Sequence, residues 1–386
     1  MKTAVRIARL PPYLFAEIDR KVALARARGA DIISFGVGDP DLPTPPHVVE
    51  ALVDAARNPE THRYPAYTGM PELRRAIATW YLRRFGVDLD PDTEIQPLVG
   101  SKEGIYHLPV AFLDAGDVAL VPDPGYPVYE TGTILAGGEP WAMPLAEERG
   151  WQPDLASIPA RVLERARIMW LNYPSNPTAA TVDVSFFDRA VEFCNAHDLL
   201  LAHDAAYTEI TFDGYVAPSV LQAKGARSCA VEFHSLSKTY NMTGWRIGWV
   251  AGAPEAIEAI KRLKTNIDSG IFDAVQTAGV AALAGPQDHL TATVERYRKR
   301  RDLLCEGLAS MGVTVESPRG SIYLWVRVPT GHTSESFTNL LLDEADIVAA
   351  PGNGYGASGE GFVRFSITLA DDRLEEGVER LRKAFG

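Results

Sequence analysis

The chain has 386 residues, 46% of them hydrophobic and 23% charged, and a formal net charge of −12. That length suits one large or two ordinary domains with a sizeable core, and the acidic balance argues against nucleic acid as a partner. No uncharged stretch reaches the ~18 residues of a membrane-spanning helix, so no membrane partner is expected either.

The first 35 residues or so are interrupted by proline and predict an arm plus a helix that packs on the C-terminal part. The start, MKTAVRIARLPPYLF, lacks the apolar run of a signal peptide. From about residue 95 strand and helix patterns alternate. DVALVPDPGY (117–126), RIMWLNYPSNP (167–177), LLLAHDAAY (199–207), SCAVEFHSLSK (228–238) and RIGWVAG (246–252) are short, nearly continuous apolar runs. Such runs predict strands covered on both faces. The stretch 183–196 between them predicts a helix, with Val184, Phe187, Ala190, Val191 and Cys194 on its inner side. The fold class expected is α/β: a large domain with a mostly parallel sheet between helices, plus a smaller α+β domain. Residues 273–386 begin with long helical patterns. The basic run Arg296–Arg301 there, beside Leu290, Val294, Tyr297, Leu304 and Leu308 at helical spacing, reads as a solvated helix face. A strand pair follows at SIYLWVRV (321–328) and GFVRFSIT (361–368), with the glycine-rich PGNGYGASGEG between them. The expected division is 1–35 for the arm and part of the smaller domain, 36–272 for the large domain and 273–386 for the small one. Cys194, Cys229 and Cys305 share no CxxC spacing, which predicts reduced thiols in the cytoplasm. The eight histidines show no metal-ligand spacing, so no metal is expected.

Polar residues interrupt the apolar runs in a consistent place. Asn176, Asp204, Ser235 and Lys238 all stand at or just beyond the carboxyl end of a predicted strand, the edge at which open α/β sheets bind ligands. In LVGSKEGIYHL (98–108) a Gly-Ser turn opens a helix, with Ser101 as its expected N-cap and free amides that favour an anion. Together with Ser235, Ser237 and the guanidinium of Arg246, that helix start suits a phosphate monoester. Lys238 follows a buried strand and two serines. Desolvation there lowers an amine pKa and frees its lone pair. A neutral lysine beside a phosphate site suggests a Schiff base with pyridoxal 5′-phosphate (PLP). PLP needs an acid opposite its ring nitrogen, and Asp204 is the candidate. His203 and Asp204 are neighbours on a strand and face opposite sides, which argues against a Ser-His-Asp device built on this pair. Tyr207 and Asn176 suit the ring's phenolic oxygen, and Tyr126 suits its face. Arg364, set among apolar strand residues, needs an anion; a substrate α-carboxylate fits.

With these residues in place, SLSKTYNMTGWRIG (235–248) resembles the PLP-lysine segment of class I/II aminotransferases, a branch of the fold-type I PLP enzymes. GVGDPDLPTP (36–45), YPAYTGMPELRRAIA (64–78), GSKEGI (100–105), PDPGYPVY (122–129), NYPSNPT (172–178), HDAAY (203–207) and GFVRFS (361–366) resemble other segments of that family, in family order across nearly the whole chain. The resemblance implies that Lys238, Asp204 and Tyr207 are catalytic. It implies that Ser101, Lys102, Ser235, Ser237 and Arg246 lie around the phosphate and that Tyr126 stacks on the ring. It implies that Asn176 and Tyr207 hold the phenolic oxygen, and that Arg364 takes the substrate carboxylate near Gly38. Tyr67 matches a tyrosine that reaches the phosphate of a neighbouring subunit, so a homodimer with shared sites is implied. The family reads Asn-Pro-Thr-Gly where this chain has Ala179; a small backbone adjustment is expected there.

Within the family, PPYLFAEIDR, GVGDPDLPTP, HRYPAYTGMPELRRAIA and PLVGSKEGIYHLP look most like LL-diaminopimelate aminotransferases. Tyr13 would then touch substrate from the arm, and Gly38, Lys102, Tyr126, Asn176 and Arg364 would complete the substrate site. The expected reaction moves an amino group between an amino acid and a 2-oxo acid. Alanine-, aspartate- and aromatic-type aminotransferases and cystathionine β-lyase-like enzymes share the cofactor residues and remain open alternatives. A nicotinamide reductase lacks its GxGxxG between strand and helix.

Overall fold

The computed structural model describes residues 1–11, 14–313 and 315–385, and of 14–18 the backbone only. In chain order its strands are β1 (Ile33–Ser34), β2 (Ile95–Leu98), β3 (Val118–Asp123), β4 (Glu139–Pro144), β5 (Ala166–Asn172), β6 (Leu200–Asp204), β7 (Ala230–Ser235), β8 (Gly248–Gly252), β9 (Tyr323–Arg327), β10 (Ile347–Val348), β11 (Ala350–Pro351) and β12 (Phe362–Ser366). Seven of them form one sheet in the order β2-β8-β7-β6-β5-β3-β4. Its pairs are parallel from β4 to β7, while β8 runs antiparallel to both β7 and β2. The expected α/β architecture is therefore present, with one opposed strand that the apolar runs did not announce.

Burial on both faces explains those runs. On β6, Leu201 packs into one layer with Phe187, Ala190, Val191 and Cys194 of the helix Val184–Ala196. Ala202 packs into the opposite layer with Ile105, Leu108, Ile257 and Ile260. Asp183 caps the helix Val184–Ala196 by accepting from Phe186 N. Val184, expected on the inner side, is exposed, and Phe186 takes its place there.

The second core gathers around the sheet β11-β12-β9, whose pairs are antiparallel. Tyr297, Leu304 and Leu308 pack there with Leu341, Val363, Phe365, Leu374 and Val378. β1 adds the N-terminal segment by pairing in parallel with β10. Val22 and Ala25 of the helix Leu14–Ala27 pack beside Trp325, Tyr355 and Phe362. More separates β9 from β12 than a glycine-rich loop: the helix Ser334–Ala345, β10, β11 and two short 3-10 turns lie between them. The helix Asp273–Ala284 sends Ala278, Ala282 and Leu283 into the large-sheet core. We therefore propose that the boundary between the lobes falls after this helix, not at 272/273.

Two further expectations change. The run Arg296–Arg301 lies on the helix Asp288–Ser310, but Arg300 and Arg301 are buried. They fall on the same stripe as Tyr297, Leu304 and Leu308, because 3.6 residues per turn bring positions three, four and seven apart onto one face. Arg300 is satisfied there by Asp41, with Nη1 and Nη2 at 2.7 and 2.8 Å, and by Asp371, with Nε at 2.6 Å. Arg301 pairs with Asp213 and Asp302.

Ala179 keeps the left-handed backbone, at φ 57°, and is buried. The backbone does not adjust around its methyl group. The turn is held by Ala179 N donating to Ser175 O at 3.1 Å and Ser175 N donating to Ala180 O at 3.0 Å. A left-handed non-glycine residue costs about 1–2 kcal/mol, and the extra chain entropy of glycine offsets about 0.4–1 kcal/mol of that. Ala179→Gly is thus expected to raise the unfolding free energy by about 0.5–1 kcal/mol, read as a higher urea midpoint at unchanged slope. A lower midpoint would show that the turn carries no strain.

Candidate active site

Parallel pairing brings the ends of β5, β6 and β7 side by side. Asn172 stands opposite Asp204, and Asp204 opposite Phe233. The helix Ser101–Phe112 and the short helix Leu236–Thr239 begin at the same rim. A cavity of about 400 Å³ opens there, and most of the residues singled out in the sequence line it.

At the helix starts, Ser101, Lys102, Ser235, Ser237, Thr243 and Arg246 line the cavity. Ser101 is not the cap: Gly100 is, at φ 76° with no side-chain bond, and Ser101 is the first helical residue. Glycine is needed at 100 on two counts. The backbone is left-handed, and a Cβ would lie 2.2 Å from Arg246 Nη2. Arg246 is fixed by Nη1 donating to Thr243 O at 2.8 Å. Ser235 does cap its helix, its Oγ accepting from Ser237 N at 3.1 Å. Free amides, hydroxyls and a guanidinium converge, as an anion requires.

Lys238 reaches into the cavity and donates from Nζ to Gly38 O at 2.6 Å. Burial lowers its pKa; Tyr323 and Asp39 oppose the shift, and Arg364 and Arg246 reinforce it. A Cβ at Gly38 would meet Tyr323 Oη at 2.2 Å, so any side chain there would have to displace the Tyr323 ring.

Asp204 is 5% exposed. Its Oδ2 accepts from Tyr129 OH at 2.9 Å. Its Oδ1 is buried and has no hydrogen-bond partner among the described residues. Burial raises its pKa, against the hydrogen bond from Tyr129, the influence of His203 and His234 and the nearby backbone N–H of Ala206. His203 lies on the other face of the sheet, as strand alternation predicts, with Nδ1 2.9 Å from Glu232 Oε2.

Asn172 and Asn176 lock the neighbouring loop. Asn172 Nδ2 donates to Asp204 O, and Asn176 N donates to Asn172 Oδ1, both at 2.7 Å. Asn176 Oδ1 in turn accepts from Arg364 Nη1 at 2.7 Å, while Arg364 Nη2 donates to Gly36 O at 2.6 Å. Arg364 is fully buried and does not itself line the cavity. Tyr323, which does line it, stacks on the guanidinium at 3.9 Å. The Tyr323 and Tyr207 hydroxyls are 3.2 Å apart. Burial holds the Tyr207 phenol well above its ordinary pKa. Tyr126 lines the cavity and meets Tyr129 edge-on, with ring centroids 6.0 Å apart. Tyr67 lies outside the cavity and is 49% exposed, and Tyr13 falls outside the described residues.

Sequence reasoning passed over Tyr129, Asn172 and Tyr323. Tyr129 lies three residues after Tyr126, one helical turn on. Asn172 ends an apolar strand just as Asp204 does. Tyr323 offers no such signal, because within SIYLWV it reads as core.

A model of the family "Aminotransferase class I and II" matches residues 30–381. The chain belongs to this family. The LL-diaminopimelate aminotransferase of Moorella thermoacetica is 54% identical over 386 residues, covering 100% of this chain and 99% of that one. The enzyme of the same name from Desulforudis audaxviator is 54% identical over 383 residues, covering 99% and 98%. Among solved structures, substrate-bound BacF from Bacillus subtilis superposes with a TM-score of 0.96 at 39% identity, covering 100% and 99%. The aspartate aminotransferase of Rhizobium meliloti gives 0.92 at 30%, covering 100% and 98%.

This class I/II aminotransferase is a fold-type I, PLP-dependent transaminase acting on amino and 2-oxo acids. Its residues fit the cofactor. Asp204 Oδ1, buried and without a partner among the described residues, is an acceptor waiting for a ring N–H. The Lys238 amine is set in the same cavity as the anion-binding helix starts. Tyr129 donates the hydrogen bond that opposes the rise in the Asp204 pKa caused by burial, and bonds to a charged group contribute about 1.5–3 kcal/mol. Tyr129→Phe is therefore expected to lower kcat by about tenfold or more, with the fold intact by circular dichroism. A kcat within about twofold of the parent would remove Tyr129 from this role.

Proposed function

We propose that this aminotransferase makes LL-diaminopimelate from tetrahydrodipicolinate, glutamate and water, releasing 2-oxoglutarate, in lysine biosynthesis. The observation that carries the reading is 54% identity to LL-diaminopimelate aminotransferases along the full length of the chain. A biosynthetic role and three free cysteines favour the cytoplasm, and no described helix is long and apolar enough to cross a membrane. The exposed Tyr67, away from its own cavity, favours a homodimer in which it serves the neighbouring site.

In this reading Lys238 holds the cofactor covalently at rest. Ser101, Lys102, Ser235, Ser237 and Arg246 hold its phosphate. Asp204 accepts the ring N–H and keeps it protonated, while Asn176 and Tyr207 donate to the phenolic oxygen and Tyr126 covers the ring. Bound PLP supplies a ring that takes up the negative charge left when the substrate Cα loses its proton. Lys238, as a free amine, would take that proton from Cα and deliver it to the carbon on the far side of the amino nitrogen, two atoms along. Its lowered pKa suits the task, since a base must be unprotonated to act near neutrality. Arg364 takes the substrate α-carboxylate: it is a buried guanidinium whose neighbours Asn176 and Tyr323 both line the cavity. Gly38, Lys102, Tyr126 and Asn176 shape the rest of the substrate site. Two half-reactions on one cofactor give ping-pong kinetics.

Lys238→Ala is expected to abolish turnover while PLP still binds noncovalently; a fully active variant would contradict the assignment. Arg364→Ala is expected to weaken amino-acid binding about tenfold to a hundredfold, the range of one lost charged hydrogen bond; unchanged affinity would remove it from the site. The substrate is tested by mixing the PLP-loaded enzyme separately with LL-diaminopimelate, alanine, aspartate, tyrosine and glutamate, and following loss of the cofactor's yellow absorbance. LL-diaminopimelate and glutamate should react fastest. Faster reaction with aspartate or tyrosine would replace the diaminopimelate reading.

A further inference from the structure

Behind the helix start that lines the cavity lies a cluster of charged groups: Glu103, His107, Lys264 and Asp268. Glu103 Oε2 accepts from Val99 N at 2.5 Å, and its Oε1 accepts from Lys264 Nζ at 2.7 Å. Lys264, 1% exposed at its side chain, also donates to both carboxylate oxygens of Asp268 at 2.8 Å. Asp268 Oδ1 accepts from Gly270 N at 2.7 Å. His107 Nδ1 lies 3.7 Å from Glu103 Oε1. Ligand atoms of Glu103, His107 and Asp268 fall within 4.8 Å of one another, but the Lys264 ammonium already supplies the positive charge. The cluster is an internal ion pair, not a metal centre.

Its geometry is aimed at the turn Leu98–Ser101. Val99, held by Glu103, immediately precedes Gly100, and Gly100 is the residue pressed against the Arg246 guanidinium. On its other side the turn abuts Gly248, where a Cβ would lie 2.9 Å from Ser101 N. Position along this turn therefore sets how far the first helical amides stand from Arg246. We propose that Glu103 is a positioning residue for the cofactor's phosphate: through Val99 N–H it fixes the turn at the spacing at which the Ser101 end of the helix and Arg246 meet one phosphate. The proposal rests on the reading that Ser101 and Arg246 hold that phosphate.

A full negative charge three residues into an anion-binding helix start would repel the phosphate. The cluster answers this. Burial raises the Glu103 pKa to about 7, helped by Asp268 and opposed by Lys264. Asp268 moves the other way: burial would raise it, but hydrogen bonds from Glu103 and Lys264 hold it low. The groups facing Glu103 are Lys264 from the helix Pro254–Lys264, Asp268 from the turn after it, and His107 from its own helix. Asp268 and Lys264 balance each other, and burial favours the neutral form of Glu103. Its Oε2 accepts from Val99 N whether or not the group is ionised, so the hold on the turn does not depend on a charge pointing at the ligand.

Geometry and ionisation are separated by two substitutions. Glu103→Asp keeps an ionisable carboxyl group but shortens its reach; Glu103→Gln removes the ionisable group but keeps an oxygen that accepts from Val99 N. The full-length apo-protein is titrated with PLP and with pyridoxal, which lacks the phosphate, and with Arg246→Gln alongside. Glu103→Asp should weaken PLP about tenfold and pyridoxal less than about twofold, while Glu103→Gln holds PLP within about threefold of the parent, the scale of one hydrogen bond. Equal weakening of both ligands in Glu103→Asp, unchanged PLP affinity in it, or a loss in Glu103→Gln as large as in Glu103→Asp would overturn the role while leaving Arg246 in place. Arg246→Gln with an unchanged preference for PLP over pyridoxal would instead remove the phosphate site, and this inference with it.

Discussion

A carboxylate held nearly dry at the end of a central strand is the constraint on which this site depends. Asp204 sits where β6 meets the cavity, between Asn172 on one neighbouring strand and Phe233 on the other. Burial works against its ionised form, and burying a charge is costly unless the group is hydrogen-bonded. The surrounding residues provide for this: Tyr129 donates to one oxygen, and the other is left for the ligand. The parallel register then sets everything else at a fixed distance. Asn172, in line with Asp204, anchors Asn176, and Asn176 anchors Arg364 from the other core. One chain of hydrogen bonds thus runs from the backbone carbonyl of Asp204 in the large sheet to the guanidinium in the small one.

Much of this was legible in the chain itself, because a polar residue that ends a two-face-buried strand has few purposes. Asp204, Asn176, Ser235 and Lys238 stand out for that reason, and all line one cavity. What remained hidden depends on neighbours far away in sequence. Tyr323 sits among apolar strand residues, and only the approach of Gly38 and Arg364 gives it a purpose. Gly100 takes the capping place expected of Ser101, and the Arg246 guanidinium that lies against it comes from far along the chain. Arg300 and Arg301 read as solvated because charged runs usually are; their carboxylate partners lie as far as 259 residues away. The helix Asp273–Ala284 follows the large core because its small inner face fits against Leu73 and Ile247, which periodicity alone does not disclose.

The cavity also shows how one scaffold separates two jobs. In the proposed reading, the groups that meet the cofactor come from the large sheet and the helix starts at its rim. Arg364, proposed to meet the substrate, comes from β12, and Gly38 from the loop after β1. A relative can therefore change substrate through the second set without disturbing the first, which accords with the similarity of this fold to aminotransferases of differently named substrates.

Arg300 has a consequence for how the chain acquires its site. Its guanidinium joins Asp41, three residues after Gly38, with Asp371 of the small lobe. The loop that presents Gly38 to Lys238 is thus fastened by an arginine 259 positions further along the chain. Contacts between such distant positions close late in folding. The strands of the large sheet pair without this clasp, whereas the carbonyl partner of the lysine is held by it. Formation of the sheet and completion of the site are therefore separate events.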